Sequence, residues 1–214
     1  MSVAARGPGG DAILISRVVL ASSNPGKLRE LQALLAPKGW QVESQSQFGL
    51  VTPPEDGNSF VENALIKARY ALAATGLPCI ADDSGLVVDA LGGRPGIHSA
   101  RFAGEGCSDE DNIQRLLEEL SGVPEDLRGA RYHCALVMVW PGTTEPLVCE
   151  ASWEGRIALR PRGDGGFGYD PLFIVTGDTR TAAEMPSAEK NRISHRARAF
   201  DALAAGMPTA TISG

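Results

Sequence analysis

The stretch Val18-Val-Leu-Ala-Ser-Ser-Asn-Pro-Gly-Lys-Leu-Arg-Glu-Leu31 joins an apolar run, a polar turn and a leucine-rich segment. Val18–Ala21 is typical of a short buried strand, whereas the leucines at positions 28, 31, 34 and 35 recur at helical spacing. Asn24 or Ser23 suits the N-cap of that helix, and Pro25 fits its first position, where a missing N–H has no cost. The pattern therefore predicts a strand that leads through one tight turn into a helix.

The turn Ser22–Lys27 has the features of a phosphate-binding loop. The unpaired N–H groups of a first helical turn and the positive end of the helix dipole attract anions, and Lys27 adds a full positive charge there. The alternative is an ordinary strand-to-helix turn with a solvated lysine. The loop is not a Walker loop, because its early glycine is missing and Leu28 stands where a Ser or Thr would bind magnesium.

Length and composition indicate one globular domain. With 214 residues, of which 43% are hydrophobic and 21% charged, the chain can bury one sizeable core. Its formal net charge of -6 argues against a broad nucleic-acid-binding surface, which needs clustered Lys and Arg. The four cysteines are scattered without a C-x-x-C pair, so we expect neither a structural zinc site nor a disulfide framework.

Targeting signals are missing from the sequence as it stands. No apolar run approaches the roughly 20 residues that a transmembrane helix needs, and the apolar core Ala12–Ile15 is too short for a signal peptide. We therefore expect a cytoplasmic protein that contacts no membrane. Residues 1–16 are predicted to form a disordered extension, and residues 17–214 the folded domain.

Asp82 and Asp83 are candidate metal ligands. They follow the predicted short strand Pro78–Ala81, which breaks off there before a second apolar strand. Adjacent carboxylates near a core are costly unless a cation or hydrogen-bond donors satisfy them, and Mg²⁺ prefers such oxygen ligands. The alternative is a simple acidic turn in a hairpin.

Glu55 stands just ahead of a second predicted helix. Ser59-Phe-Val-Glu62 matches a capping box, and an apolar stripe continues from there to Gly76. From its position alone, Glu55 is typical of an exposed acid that complements the helix dipole.

The stretch Gly163–Pro171 contains four glycines around two aromatic residues. Glycine at this density lets a backbone pass close to a ligand. Phe167 or Tyr169 could offer a flat face to a nucleobase, because every base has a π-face for stacking. A plain surface loop is the alternative.

The segment Glu189–Arg196 combines three cations and a histidine just ahead of a predicted helix over 197–205, with Ser194 as its N-cap. The helix dipole disfavours cations at that end. A nearby anion or an acceptor-rich base edge would account for them, and a solvated basic helix start is the alternative.

Four separated motifs are similar, and in the same order, to those of the inosine triphosphate pyrophosphatase family, also called the Ham1 or RdgB-type XTP/dITP diphosphatases. They are Ser22–Lys27, Ala81–Leu86, Gly166–Pro171 and Glu189–Arg196. The resemblance runs from about residue 18 to the C-terminus. It implies an α/β fold with an elongated mixed β-sheet flanked by helices, two lobes around a central cleft, and a homodimer.

The same resemblance implies a Mg²⁺-dependent hydrolase that converts deaminated purine nucleoside triphosphates (ITP, dITP, XTP) to the monophosphate and pyrophosphate, and no nucleic-acid partner. Carried over by motif, the triphosphate would be held by Ser22, Ser23, Asn24, Pro25, Gly26 and Lys27. Asp83 would be the general base and a metal ligand, Glu55 the other metal ligand, and Asp82 and Lys27 further catalytic residues. The other substrate contacts would be Ser84, Phe167, Gly168, Tyr169, Asp170, Lys190, His195 and Arg196, with Phe167 stacking on the base.

Two other interpretations stay open. A related Maf-type pyrophosphatase would act on other nucleotides, and the Phe-Gly-Tyr-Asp and Ser-His-Arg segments argue against it. A catalytically silent nucleotide-binding module would not need the acids at positions 55, 82 and 83.

Overall fold

The computed structural model describes residues 16–207, and it contains a six-stranded sheet in the order β2-β1-β3-β4-β5-β6. The strands are β1 Ser16–Leu20, β2 Trp40–Ser44, β3 Cys79–Val88, β4 Gly129–Val139, β5 Leu147–Ile157 and β6 Phe173–Val175. The helices are α1 Pro25–Leu35, α2 Phe60–Thr75, α3 Asp109–Glu119, α4 Ser187–Ile193 and α5 His195–Gly206. Strand β1 pairs in parallel with β2 and β3, whereas β5 and β6 are antiparallel. The predicted α/β class with a mixed sheet and flanking helices is confirmed.

The predicted strand, turn and helix at the start of the domain form as expected. Asn24 is the N-cap of α1, and Pro25 is its first residue. The predicted extension over residues 1–16 lies outside the described residues, apart from Ser16, which begins β1. No helix within residues 16–207 is long and apolar enough to cross a bilayer.

The described chain divides into two compact units. The first comprises residues 16–83, 135–149 and 199–207, and the second comprises 84–134 and 150–198. In the first unit, α2 packs through small residues against β1 and β3, and its core contains Val19, Ala21, Ala64, Ala68, Ala71, Cys79, Ala81, Val137 and Val139. Small side chains let the helix lie close to the strands.

The second unit has a larger, more aromatic core. Trp153 and Phe173 are almost completely buried there, among aliphatic side chains from β3, α3 and β5. Each buried aromatic ring removes a large apolar area from water. This core supports the loop that follows β5 and helix α4.

The structure corrects the sequence analysis in three places. Strand β3 is continuous from Cys79 to Val88, so Asp82 and Asp83 lie within a strand and not in a turn. A carboxylate pair can occupy a strand interior where neighbouring cations neutralise it, and lysines do so here. The segment Glu189–Arg196 is a helix start only in its last residues, because residues up to Ile193 belong to the additional short helix α4. Helix α5 begins at His195, and the Ser194 hydroxyl accepts from the Ala197 N–H at 3.3 Å, as predicted for its N-cap.

The third correction concerns the start of α2. Ser59 accepts a hydrogen bond from the Glu62 N–H, as predicted, but the Glu62 carboxylate accepts from the N–H of Asn58 and not from that of Ser59. The Ser59 half of the capping box therefore forms as predicted, whereas the Glu62 side chain caps the backbone one residue earlier than predicted. Helix α2 ends at Gly76, as the sequence predicts.

Candidate active site

The phosphate-binding loop is organised by its own side chains. The Asn24 carboxamide oxygen accepts hydrogen bonds from the N–H groups of Gly26 and Lys27, at 2.8 and 3.3 Å. The Ser22 hydroxyl accepts from the Asn24 N–H at 3.2 Å. The loop thus has one defined conformation at the N-terminus of α1, with Ser23 exposed.

Lys27 reaches back from the first turn of α1 to the sheet. Its ammonium donates to both carboxylate oxygens of Asp82, at 2.8 and 2.7 Å. Asp82 is only 3% exposed, so water screens this pair weakly. Asp82 therefore holds the Lys27 charge beside the phosphate-binding loop.

Lys67 is the centre of a second charged group, which also contains Glu55, Asn63 and Asp83. The Lys67 ammonium donates to Glu55 at 2.7 Å and to Asp83 at 3.0 Å. The Asn63 side chain donates to the other oxygen of Asp83 at 3.2 Å and accepts from the Gly57 N–H at 2.9 Å. We call these four side chains the Lys67 cluster.

Burial governs the protonation of this cluster. Desolvation acts to lower the pKa of Lys67, but the carboxylates of Asp83, Glu55 and Asp82 more than offset it, so the pKa is raised and the ammonium persists. Burial raises the pKa of Asp83, and hydrogen bonds from Lys67 and Asn63 offset only part of that effect. Two carboxylates and one ammonium leave one net negative charge in the cluster.

This donor set fits Mg²⁺, which takes oxygen ligands and commonly binds through one or two carboxylates while keeping several waters. Glu55 and Asp83 are both within reach of one ammonium, so a cation can approach both. Asp56, the neighbouring acid, is exposed. Within residues 16–207, no group of three or more His, Cys, Asp or Glu side chains is placed to hold a metal by protein ligands alone.

The second unit contains a separate polar group around Asp170, which is 2% exposed. One carboxylate oxygen of Asp170 accepts from the Phe167 N–H at 2.9 Å and from the Lys190 ammonium. The other accepts from the Tyr132 hydroxyl at 3.3 Å. Burial, followed by the Asp170 charge, raises the pKa of Tyr132 well above its ordinary value, so the hydroxyl keeps the proton that it donates.

Phe167 is the exposed aromatic residue of the glycine-rich loop, with 62% of its surface accessible. The Lys190 ammonium lies 5.1 Å from the centre of its ring, and the Arg196 guanidinium carbon lies 5.9 Å from it. Both cations are therefore placed at the face of one ring, which is a favourable position for a positive charge.

Tyr169 and His195 are placed differently from Phe167. Tyr169 is buried, and its hydroxyl donates to the Ser99 carbonyl at 2.8 Å. His195 is also buried and stacks on Tyr132, with ring centres 4.9 Å apart. Gly168 donates its N–H to Asp109 at 2.6 Å. Ser84, the first residue of the second unit, is half-buried.

Of the predicted site residues, the first unit brings together Lys27 with Asp82 and Glu55 with Asp83, and the second unit brings together Phe167, Asp170, Lys190 and Arg196. The sequence analysis missed Asn63 and Lys67. A signal for both exists, because they stand four residues apart on the buried face of α2, among alanines. A polar pair at that spacing in an apolar stripe is unusual enough to indicate a buried site.

Comparisons with known proteins extend over nearly the whole described chain. The sequence model of the Ham1 family matches residues 18–206. A dITP/XTP pyrophosphatase of Methylococcus capsulatus is 53% identical over 196 residues, which cover 91% of this chain and 98% of that protein. One of Escherichia coli strain K12 is 50% identical over 190 residues, covering 88% and 96% of the two chains.

Solved structures show the same similarity. A HAM1 protein from Coxiella burnetii has a TM-score of 0.85 and 45% identity, and the match covers 88% of this chain and 96% of that one. A nucleoside-triphosphatase, also described as a dITP/XTP pyrophosphatase, from Mycobacterium abscessus has a TM-score of 0.76 and 46% identity, covering 87% and 97% of the two chains.

Proposed function

This chain belongs to the Ham1 family, and from that premise we propose that it hydrolyses deaminated purine nucleoside triphosphates (ITP, dITP, XTP) to the monophosphate and pyrophosphate, with Mg²⁺ as cofactor. The chain is a nucleoside triphosphate pyrophosphatase, related over almost its full length to proteins of that name. Such an activity cleanses the nucleotide pool of deaminated bases.

The observation that supports the catalytic assignment most strongly is the Lys67 cluster. The cluster has two carboxylates and only one ammonium, so its formal net charge is negative. Lys27 and the start of α1 provide positive charge beside it. Hydrolysis of a triphosphate needs both kinds of group, because the substrate is anionic and the attacking water must lose a proton.

We assign the proton transfer to Asp83. Each of its oxygens accepts one hydrogen bond in the Lys67 cluster and has a lone pair left for a water molecule. That water would attack the α-phosphorus as Asp83 takes its proton. The bond between the α-phosphorus and the bridging oxygen to the β-phosphate breaks, and pyrophosphate leaves.

We assign the phosphate groups to the Lys27 ammonium and to the hydroxyl groups of Ser22 and Ser23, whose oxygens accept hydrogen bonds and whose protons are left to donate. Bound Mg²⁺, held by Glu55 and Asp83, would neutralise phosphate charge. The phosphate assignment uses the anion-attracting start of α1.

Base recognition is assigned to Phe167, Lys190 and Arg196. The exposed Phe167 ring offers a stacking face, and the two cations beside it offer donors. Inosine and xanthine carry an oxygen at C6, which accepts from such donors, whereas adenine carries an amine there. A lost buried hydrogen bond costs about 1–3 kcal/mol, enough to disfavour ATP. Tyr169, Asp170 and His195 would support these residues from the buried side.

Product analysis with ITP, GTP and ATP side by side tests the function. We expect IMP and pyrophosphate from ITP in the presence of Mg²⁺, slower turnover of ATP, and no orthophosphate. An Asp83→Asn variant should lose about 10²- to 10⁴-fold in kcat, because it cannot take the proton. Release of IDP and orthophosphate, or undiminished turnover by the variant, would contradict the proposal.

The homodimer and the cytoplasmic location also stay proposals. The homodimer is what the resemblance to the Ham1 family implies, and the model of that family matches residues 18–206. Light scattering on the purified protein decides the first: a mass near 22.5 kDa would contradict a dimer, and twice that mass would support it.

A further inference from the structure

Gln45 is a buried polar residue that touches two loops of the candidate site. It follows β2 and begins a short 3-10 helix, Gln45–Phe48, and only 1% of its surface is exposed. Its side-chain nitrogen donates to the Ser23 hydroxyl at 3.2 Å and to the Thr52 hydroxyl at 3.1 Å. Both N–H bonds of one amide are therefore used, each on a different loop.

The two acceptors belong to different parts of the proposed chemistry. Ser23 lies in the phosphate-binding loop, next to the N-cap Asn24. Thr52 lies three residues before Glu55, the proposed metal ligand. Both residues belong to the loop that places the Glu55 carboxylate beside Lys67. All of these residues belong to the first compact unit.

The bond to Ser23 also orients its hydroxyl. A serine oxygen that accepts from an amide N–H still has its own proton to donate. Because Ser23 is exposed, that proton is available to an anionic oxygen outside the protein. The neighbouring Ser44 fixes the same loop, since its hydroxyl donates to the Ser22 carbonyl at 3.0 Å.

We propose that Gln45 is a positioning residue that ties the phosphate-binding loop to the Glu55 loop, so that phosphate affinity and metal affinity depend on one buried amide. This inference rests on the proposed function for the identity of the two ligands. It assigns Gln45 no contact with substrate. Its effect passes through Ser23 on one side and through Thr52 on the other.

The test compares Gln45→Met with Gln32→Met. Methionine has a similar length and keeps the volume but cannot donate. Gln32→Met is the control for the substitution itself, because the Gln32 amide is exposed and donates one hydrogen bond, to the Val42 carbonyl at 3.1 Å, and none to the two loops. We expect Gln45→Met to raise both the KM for ITP and the Mg²⁺ concentration for half-maximal activity by about five- to tenfold, because two loops lose a buried anchor. In Gln32→Met both values should stay within about twofold of wild type, because its lost bond is partly exposed and anchors neither loop.

A double-mutant cycle separates this role from a general loss of stability. Thr52→Val alone should raise the KM for ITP at saturating Mg²⁺ by about two- to threefold, although Thr52 is not in the phosphate-binding loop, and it should have no further effect in the Gln45→Met background. If Gln45→Met does not fold, Thr52→Val decides: an unchanged KM overturns the inference. Additive effects, or equal shifts in the Gln32→Met control, also overturn it.

A measurement without turnover keeps the inference distinct from the proposed function. Thermal unfolding is followed with inorganic pyrophosphate alone and with Mg²⁺ alone. Gln45→Met should need higher concentrations of each for half-maximal stabilisation than wild type and Gln32→Met. This result would support the inference even if wild type does not hydrolyse ITP. If the concentrations for half-maximal stabilisation are equal in all three proteins, the inference is overturned even if wild type hydrolyses ITP.

Discussion

At the scale of single residues, Lys67 shows how a buried charge can be retained. Its side chain is 8% exposed, and it contacts two carboxylates that would otherwise repel each other. Breaking a buried ion pair by removing one partner is strongly destabilising, because it leaves a buried charge without compensation. The same residue therefore serves the fold and the site.

We expect Lys67→Met to lose more than about 100-fold in kcat/KM and to unfold at a lower temperature in the absence of metal, because Asp83 and Glu55 are left facing each other. Added Mg²⁺ should raise the melting temperature more in this variant than in wild type, since the cation replaces the missing charge. Differential scanning fluorimetry with and without Mg²⁺ measures this. The control is Lys38→Met, which removes a lysine outside the Lys67 cluster, at the end of the 3-10 helix Ala36–Lys38. An equal Mg²⁺ shift in Lys67→Met and wild type would contradict the argument.

Cys79 gives a prediction about pH. Burial raises the pKa of this thiol from 9.0 to about 11, partly offset by a contact with Thr75. The folded state therefore holds the proton more tightly than the unfolded state, so this contribution to stability is present below pH 9 and is lost as the pH rises towards 11.

Urea unfolding at pH 8 and at pH 10.5 should show that wild type loses about 2 kcal/mol more than Cys79→Ala over this interval. Other groups titrate in the same range, and the comparison with Cys79→Ala removes their contribution. Identical losses in the two proteins would mean that the thiolate forms as easily in the folded state as in the unfolded state.

At the scale of elements, the glycine-rich loop depends on two glycines in different ways. Gly166 and Gly168 both have positive φ, at 77° and 59°. A Cβ at Gly166 would lie 2.0 Å from an Asp170 carboxylate oxygen, whereas a Cβ at Gly168 would meet nothing within 4 Å. Gly166 is therefore required because a side chain would collide with Asp170, whereas Gly168 is favoured only by its positive φ.

Gly166→Ala should therefore raise the KM for ITP by about tenfold or more, because displacing Asp170 frees Lys190 and the Phe167 N–H. Gly168→Ala should cost only the left-handed backbone strain, about 1–2 kcal/mol of folding stability, and change the KM little. Steady-state kinetics and urea unfolding of both variants test this. Equal KM values would show that Asp170 does not position the base-binding residues.

Helix α4 is held by charges at its edge. Arg180 makes two contacts with Glu189, at 2.8 and 3.1 Å, and also pairs with Asp178. This clamp fixes the residue that precedes Lys190. Such a short helix gains little stability from its own hydrogen bonds, so the clamp accounts for its position better than helix propensity does.

At the scale of the whole molecule, three strands and one helix connect the two compact units. The boundary between the units falls within β3, β4, β5 and α5, after Asp83, Cys134, Cys149 and Arg198. A strand that loses its hydrogen bonds to neighbouring strands along half of its length also pairs more weakly along the other half. Neither unit is therefore expected to unfold alone.

We predict a single cooperative unfolding transition. In scanning calorimetry the calorimetric and van't Hoff enthalpies should agree, and a probe in each unit should report the same midpoint. Trp153 is a natural probe of the second unit, and Trp40 of the first. Two midpoints, or a calorimetric enthalpy well above the van't Hoff value, would show that the units unfold independently.

Local signals in the sequence were sufficient for the parts of the site that depend on neighbouring residues. The strand, the Asn24 cap, Pro25 and the start of α1 follow from steric and hydrogen-bonding preferences within a few residues. The capping box of α3, in which Ser108 and Asp111 each accept from the other's backbone N–H, lies outside the site but depends on the same short-range preferences.

The continuity of β3 could not be deduced in this way. The letters Asp-Asp-Ser-Gly favour a turn, and only the lysines that neutralise the two acids make a strand possible. Those lysines are 55 and 16 residues away from their partners along the chain.

By itself, the sequence determined the family, the order of the motifs and the local geometry of the phosphate-binding loop, because these depend on residue types at fixed short spacing. Only the tertiary structure decided that Lys67 and Asn63 hold Asp83, that Gln45 joins two loops, and that Phe167 is exposed while Tyr169 is buried. The reason is physical: burial and charge compensation are properties of the environment of a side chain, and that environment is formed by segments distant in the sequence.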